Sequence, residues 1–275
     1  KRLRPDVAHA HLSGACRALH GLKGVCLRVA TLHIHYKANQ HAALDALVAV
    51  APWQLKDIPP RLREHSTQID NWILPQHCAP ESRARLRNEY GVPQDAWVFG
   101  AVGRAEESKG LDVLIDAFQQ ANLPNAWLVI VGHGNALAQL RRRAGPRVVL
   151  PGFSREPNEW MSAFDAFVSP ARFEPFGLVL LEAMQAGLPI IASRTEGALH
   201  LAATMAPELV PIDDVPALAQ ALQKVDQLRP SRRQYSLDRF SIGSKLAQLD
   251  SFYRRELEQL AAPPVLSVQP KPDAP

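Results

Sequence analysis

Between positions 97 and 193 the sequence alternates short, unbroken apolar runs with stretches of helical periodicity, and this alternation limits the possible folds more than any other feature. Residues 97–102 predict a buried strand that ends at Gly103. Leu111, Leu114, Ile115 and Phe118 follow at helical spacing, the pattern of an amphipathic helix. Residues 127–131 predict a second strand, ending in Gly132-His133-Gly134. A helix over 135–144 carries three arginines in its last turn, where the helix dipole favours cations. Further strands are predicted at 147–150, 166–169 and 190–193, with helices at 156–163 and 178–186. The helix at 178–186 is closed by Gly187-Leu188-Pro189, a stop signal. Continuous apolar strands separated by helices mean an α/β fold with a parallel, doubly wound sheet. Such sheets bind ligands beyond the carboxyl ends of their strands. That rule directs attention to the loops at 103–110, 132–135, 151–155, 170–177 and 194–200.

The flanking regions are less regular. Residues 7–11, 29–33 and 47–51 predict strands, and 13–19 and 41–45 helical pieces, consistent with a second α/β unit. Residues 75–81 read as a linker. Helices are predicted at 215–225 and 242–260, and the Pro-rich stretch 262–275 is expected to be disordered. The resulting division is a first α/β domain over 1–94, a second over 95–235, a returning helix over 236–261 and a tail. No apolar run reaches the roughly 18–20 residues of a membrane-spanning helix, and no leader pattern opens the chain. Three cysteines without metal or redox spacing point to a reducing compartment, with the cytoplasm as the expected location. The net charge is +4, and residues 1–98 hold 13 Lys and Arg against 8 Asp and Glu. This basic excess fits an ordinary solvated surface or attraction to an acidic acceptor or anionic membrane face. No basic stripe with interleaved aromatics suggests nucleic acid.

Two segments carry chemistry. In Gly103-Arg104-Ala105-Glu106-Glu107-Ser108-Lys109-Gly110, two cations five residues apart could bracket one anionic group at a helix start, and a diphosphate fits such a loop. The loop has neither the P-loop nor the dinucleotide-binding glycine pattern. The second segment is Arg172-Phe173-Glu174-Pro175-Phe176-Gly177, running into a helix whose polar residues are Glu182 and Gln185. A helix apolar on nearly every side is buried, so Glu182 needs a partner, either ligand hydroxyls or a buried arginine. Glu174 precedes the helix, beside N–H groups of Phe176, Gly177 and Leu178 that the helix itself leaves unsatisfied. Gly132-His133-Gly134 and Pro151-Gly152-Phe153 add two more glycine-relieved strand ends. His33 closes an apolar strand. No cluster has metal-ligand spacing, and no Asp-x-Asp pair offers a metal-bridged diphosphate site.

These motifs resemble the retaining glycosyltransferases of family 4, which have the GT-B fold. The most specific part is Glu174-Pro-Phe-Gly-Leu-Val-Leu-Leu-Glu182, which looks like the family's two glutamates separated by seven residues. The resemblance extends from about residue 5 to about 260. It implies two Rossmann-like domains facing a cleft, and metal-independent transfer of a sugar from a nucleoside diphosphate donor to a glycan or glycolipid acceptor. It also implies roles. Arg104 and Lys109 would hold the diphosphate, and Glu174 with the 176–178 backbone would contact the sugar. Glu182 would bind the ribose, and the loops at Gly132, His133, Gly134, Gly152 and Phe153 would flank the base. Thr31-Leu32-His33 would place a histidine near the reacting sugar, and residues 69–72 would end the first domain. No cofactor is expected, and a UDP-sugar donor is expected ahead of GDP- or ADP-sugars. The sequence departs from the family in two ways. The first domain is expected to lack the usual opening strands and Gly-rich loop, and Thr195-Glu196-Gly197-Ala198 replaces paired glycines and a following glutamate. A nucleotide-sugar-binding module without turnover, or a related phosphorylase or epimerase, is therefore the alternative.

Overall fold

The computed structural model describes residues 4–76 and 78–261. Within them the chain forms two compact units. The first comprises residues up to 49, residues 54–69 and residues from 246 onward, and the second comprises 50–53 and 70–245. The tail expected to be disordered, 262–275, lies outside the described residues.

In the first unit, β1 (Val7–Ala10), α1 (Ser13–Ala18), β2 (Leu27–Leu32), α2 (Ala38–His41), β3 (Ala46–Ala49), α3 (Pro60–Arg63) and β4 (Ser66–Gln68) follow in order. Among the described residues the sheet is β1-β2-β3-β4, and every pairing is parallel. Strand periodicity decides its two faces. Ala30, Leu32 and Leu47 pack with Leu44, Ile58 and Leu62 on one side. Leu27, Val29, Ala46 and Val48 pack with Ile69 and with Phe252 of the C-terminal helix on the other. A continuous apolar strand such as β2 is thus covered on both faces, as parallel sheets require. Arg28 is buried within β2, and its guanidinium donates to both carboxylate oxygens of Asp45 at 2.9 and 2.6 Å. The helical piece expected at 41–45 lies earlier, at α2, whose entry is fixed by the Lys37 N–H donating to His41 Nδ1 at 2.9 Å. The strand expected to run through residue 51 ends at Ala49.

The second unit contains α4 (Ser82–Glu89), β5 (Trp97–Val102), α5 (Leu111–Ala121), β6 (Ala126–Val131), α6 (Leu137–Arg143), β7 (Val148–Gly152), α7 (Pro157–Ala163), β8 (Ala166–Ser169), α8 (Leu178–Gln185), β9 (Ile190–Ser193), α9 (Glu196–Met205), β10 (Glu208–Val210) and α10 (Val215–Leu228). Its sheet is ordered β10-β9-β8-β5-β6-β7 and is parallel throughout. The order reverses between β5 and β8, the switch point at which such sheets open a crevice. One face is covered by α5 and α10, through Leu111, Leu114, Ile115 and Phe118 and through Leu218 and Leu222. Each such buried side chain contributes about 1.5–3 kcal/mol relative to exposure. The other face carries Phe164, Phe167, Leu180, Leu181 and Met184.

Residues 82–89, which the expected domain bounds place in the first domain, form helix α4 and are grouped with the second unit. The buried Arg87 ties it there, donating to Ala163 O at 3.0 and 2.7 Å and to Asp165 Oδ2 at 2.8 Å. Asp165 also accepts from the Val98 N–H at 2.8 Å, so this network fixes α4 against the start of β5. Residues 196–200, read as a loop, are the first turns of α9.

Candidate functional site

The carboxyl ends of β5, β6 and β7 are stitched together by backbone. Gly103 N–H donates to Val131 O at 3.0 Å, Ala105 N–H to His133 O at 3.0 Å, and Gly132 N–H to Gly152 O at 2.9 Å. Such close approach demands glycine. At Gly132 φ is +149°, and a Cβ there would lie 1.7 Å from Gly103 O. His133 is exposed, its backbone carbonyl holding Ala105, and Phe153 is 73% exposed.

The loop after β5 docks on the loop after β8. Ser108 O accepts from Arg172 N–H at 3.0 Å and from Phe173 N–H at 3.2 Å. Arg172 reinforces the joint. Its guanidinium donates to both oxygens of Asp112 at 2.9 and 2.8 Å, to Asp213 at 2.7 Å and to Glu107 O at 2.6 Å. The bidentate hydrogen bonds hold the Asp112 carboxyl below its ordinary range. The sequence reading quoted Arg172 in the motif but gave it no role. A guanidinium reaching loops some sixty positions apart leaves no local signal in the sequence.

This docking decides where the two loop cations point. Lys109 Nζ meets Glu174 Oε2 at 2.7 Å, with side chains only 22% and 13% exposed. Arg104 instead pairs with Glu106 at 2.7 Å and projects outward, 72% exposed. In this structure each of the two loop cations is paired with its own carboxylate. Glu174 is no isolated helix-start anion, since it shares the Lys109 ammonium.

Gly177, which caps the start of helix α8, lies in the left-handed region at φ +97°. Among the described residues, no hydrogen bond engages the N–H groups of Phe176, Gly177 or Leu178. The expectation that the helix is buried on nearly every side is also corrected. Leu180, Leu181, Ala183 and Met184 are buried, while Leu178 is 48% exposed and Val179 and Glu182 are half-buried. The helix lies against the sheet with one face only, and Glu182 sits on its open side. Among the described residues the Glu182 carboxylate has no ion pair or hydrogen bond, so the alternative of a buried arginine partner does not hold. Burial pushes its carboxyl up from the ordinary range.

Two neighbours were given no role in the sequence reading. Gly197 N–H donates to Glu174 O at 2.9 Å, and a Cβ on Gly197 would lie 2.5 Å from Phe176 O. The first turn of α9 thus clamps the 174–176 backbone, and the Thr195 hydroxyl caps it by accepting from Ala198 N–H at 3.3 Å. Trp53 Nε1–H donates to Pro175 O at 2.9 Å, and its ring stands edge-on to Phe173 at 6.4 Å. Glu196 is exposed.

The second unit thereby gathers Gly103, Lys109, Glu174, Phe176, Gly177, Leu178 and Glu182 with the Gly132–Gly134 and Gly152 turns along one sheet edge. His33 belongs to the first unit, just after β2. There its Nε2 lies 3.3 Å from His11 Nδ1, and burial followed by His11 lowers its pKa. Among the described residues no three His, Cys, Asp or Glu side chains are grouped so as to hold a metal ion.

The family model of glycosyl transferases group 1 matches residues 82–237, more than half of the chain and nearly all of the second unit. The chain belongs to this family. This glycosyl transferases group 1 chain is 29% identical over 130 residues to the O-antigen biosynthesis glycosyltransferase WclY of Escherichia coli, covering 46% of the chain and 36% of that protein. It is 33% identical over 175 residues to the lipopolysaccharide core biosynthesis glycosyltransferase LpsD of Rhizobium meliloti, covering 60% of the chain and 47% of that protein. The matches thus span less than half the length of these relatives. Among solved structures it is similar to the sucrose-phosphate synthase of Thermosynechococcus elongatus, with a TM-score of 0.74 at 22% identity over 92% of this chain and 74% of that one. It is also similar to HepE of Anabaena in complex with UDP and glucose, with a TM-score of 0.70 at 20% identity over 94% and 78%. These likenesses establish the α/β GT-B glycosyltransferase fold.

Proposed function

We propose that the second unit binds a nucleoside diphosphate sugar and that the protein transfers the sugar, with retention of configuration and without a metal ion, to a glycan or glycolipid acceptor. The observation that carries this reading is Glu182, a half-buried carboxylate without an ion pair or hydrogen bond among the described residues. It lies within α8, whose start carries three N–H groups without a hydrogen bond among the described residues and follows Glu174 of the Lys109–Glu174 pair. A carboxylate in that state is costly unless a ligand supplies donors, and vicinal ribose hydroxyls are such donors. UDP is the proposed nucleotide, supported by the UDP complexes among the similar structures. Acceptors in cell-surface glycan synthesis are supported by the names of the relatives.

In the proposed reaction the bond from the anomeric carbon to the diphosphate breaks, negative charge grows on the leaving oxygen, and the acceptor oxygen attacks from the face being vacated. Lys109, Arg104 and the amides at the start of α8 meet that negative charge, stabilising it more in the transition state than in the ground state. Glu174 holds sugar hydroxyls. The acceptor proton passes to the departing phosphate. His33 keeps the role near the reacting sugar that the resemblance gives it. The protein works in the cytoplasm, at or near an anionic membrane face. The basic excess over residues 1–98 supports that location, and among the described residues no helix is long and apolar enough to cross a membrane.

The test is a thermal-shift panel of UDP-, GDP- and ADP-sugars on the parent and on Glu182→Ala, followed by labelled-sugar transfer with the donor that binds. One nucleotide class should stabilise the parent, and Glu182→Ala should weaken that binding about tenfold or more. Glu174→Ala and His33→Ala should lower transfer while donor binding is kept. Loss of neither binding nor transfer in any of these variants would overturn the assignment. Binding without transfer or hydrolysis would favour a binding module.

A further inference from the structure

The first unit holds a cavity of about 500 Å³ at the amino ends of its strands, the opposite end of the sheet from His11 and His33. It lies between the starts of β2 and β3, the α3 turn and the last turns of the C-terminal helix. Its volume falls in the range of about 300–1,000 Å³ typical of small-molecule sites.

The charges lining it are unequally committed. Both carboxylates are fully engaged. Asp45 accepts from the backbone and guanidinium of Arg28 at 2.9, 2.9 and 2.6 Å. Glu256, 2% exposed, accepts from His65 Nδ1 at 3.0 Å and from Arg255 at 2.9 Å. Two cations of the lining, Lys23 and Arg61, have no ion pair or side-chain hydrogen bond among the described residues. The Tyr36 hydroxyl likewise makes no hydrogen bond among them. Leu27, Leu44 and Leu62 also line it and are buried. The cavity lining therefore combines two exposed cations and a hydroxyl that have no partner among the described residues with buried leucines.

We propose that this cavity is a second ligand site that takes a small phosphate monoester of a polyol. A guanidinium and an ammonium lining one cavity suit a compact dianion, the guanidinium by paired N–H donors and the ammonium as a point charge. Asp45 and Glu256 cannot neutralise these cations, because each already has its own. Tyr36 and the open Nε2 of His65 are available to the polyol hydroxyls. The site does not depend on the donor-binding reading, since none of its residues belongs to the second unit.

The probe is glucose 6-phosphate, compared with glucose and with inorganic phosphate, in calorimetric titration and thermal shift on the full chain. The proteins are the parent, Lys23→Ala/Arg61→Ala, and Arg17→Ala/Lys37→Ala as a control with the same charge loss elsewhere in the first unit. Both pairs are exposed, so folding should be unaffected. Lys109→Ala tests for leakage into the donor site. Glucose 6-phosphate should bind the parent at least threefold more tightly than phosphate, with glucose silent. Binding should fall at least tenfold in Lys23→Ala/Arg61→Ala and persist in the other two variants. Absence of binding, equal binding by inorganic phosphate, loss in Lys109→Ala, or indifference to Lys23→Ala/Arg61→Ala would each overturn the proposal.

Discussion

The two units finish the carboxyl edges of their parallel sheets by different means. In the second unit the edge is made of backbone. Loops after β5, β6 and β7 hydrogen-bond directly to one another, and Gly132 stands where no side chain fits. In the first unit the edge is made of imidazoles. His9 and His11 stack with centroids 4.7 Å apart, and His11 reaches His33. His9 is clamped between Thr31 at 2.8 Å and the Tyr253 hydroxyl at 2.5 Å. A backbone-built edge is rigid and independent of pH, and it leaves glycine marks in the sequence. An imidazole-built edge can be tuned by protons and rests on contacts such as His9 to Tyr253, remote along the chain.

The largest effect should come from filling the space at the backbone-built edge. Gly132→Ala must both adopt a strained φ and displace Gly103 O, at a cost of about 3 kcal/mol. Urea unfolding would measure it, and a change below about 1 kcal/mol would mean that the edge yields where we describe it as fixed. Next is Lys109→Ala, expected to weaken nucleoside diphosphate binding by about 2 kcal/mol while sparing free nucleosides. Equal weakening of both ligands in titration would remove the diphosphate role of this loop.

The imidazole edge should respond to acid. Burial, then His11 and His33, lower the pKa of His9 to about 4 from 6.5. The folded state thus prefers neutral His9, and the unfolded state binds the proton more readily. Stability from this group is fully present above about pH 6.5 and is lost as pH falls toward 4. Between pH 7 and pH 5 the loss should be about 1–2 kcal/mol, and His9→Gln should flatten it. An unchanged slope in that variant would assign the acid sensitivity elsewhere. The smallest effect is Tyr253→Phe, about 1 kcal/mol of stability, together with a shift of the His9 imidazole resonances. Silent imidazole resonances in this variant would break the link to the C-terminal helix.

The legibility of the site divides along the same line. Arg104, Lys109, Glu174 and Glu182 stood out because they flank glycines, a proline and an apolar helix whose spacing is local. The strands at 97–102, 166–169 and 190–193 match their predicted bounds, because a buried parallel strand is a continuous apolar run. The first turn of α9 was missed, since Thr195 and Glu196 resemble loop chemistry until Gly197 is seen against Phe176 O. Helix α4 was missed because its charged sequence has little amphipathic pattern, and buried Arg87 holds it in place through distant acceptors.

By itself the sequence determined the parallel α/β architecture and the order of elements from β5 to β9. It also determined the glutamate-bearing segment that marks the family, for these follow from residue spacing over a few turns. Only the tertiary structure decided that Lys109 faces Glu174 while Arg104 turns outward, that Glu182 has no partner among the described residues, and that Arg172, Trp53 and Gly197 brace the loop between them. Ion pairs and hydrogen bonds act over a few ångströms of space, and which residues come that close is set by how the elements pack.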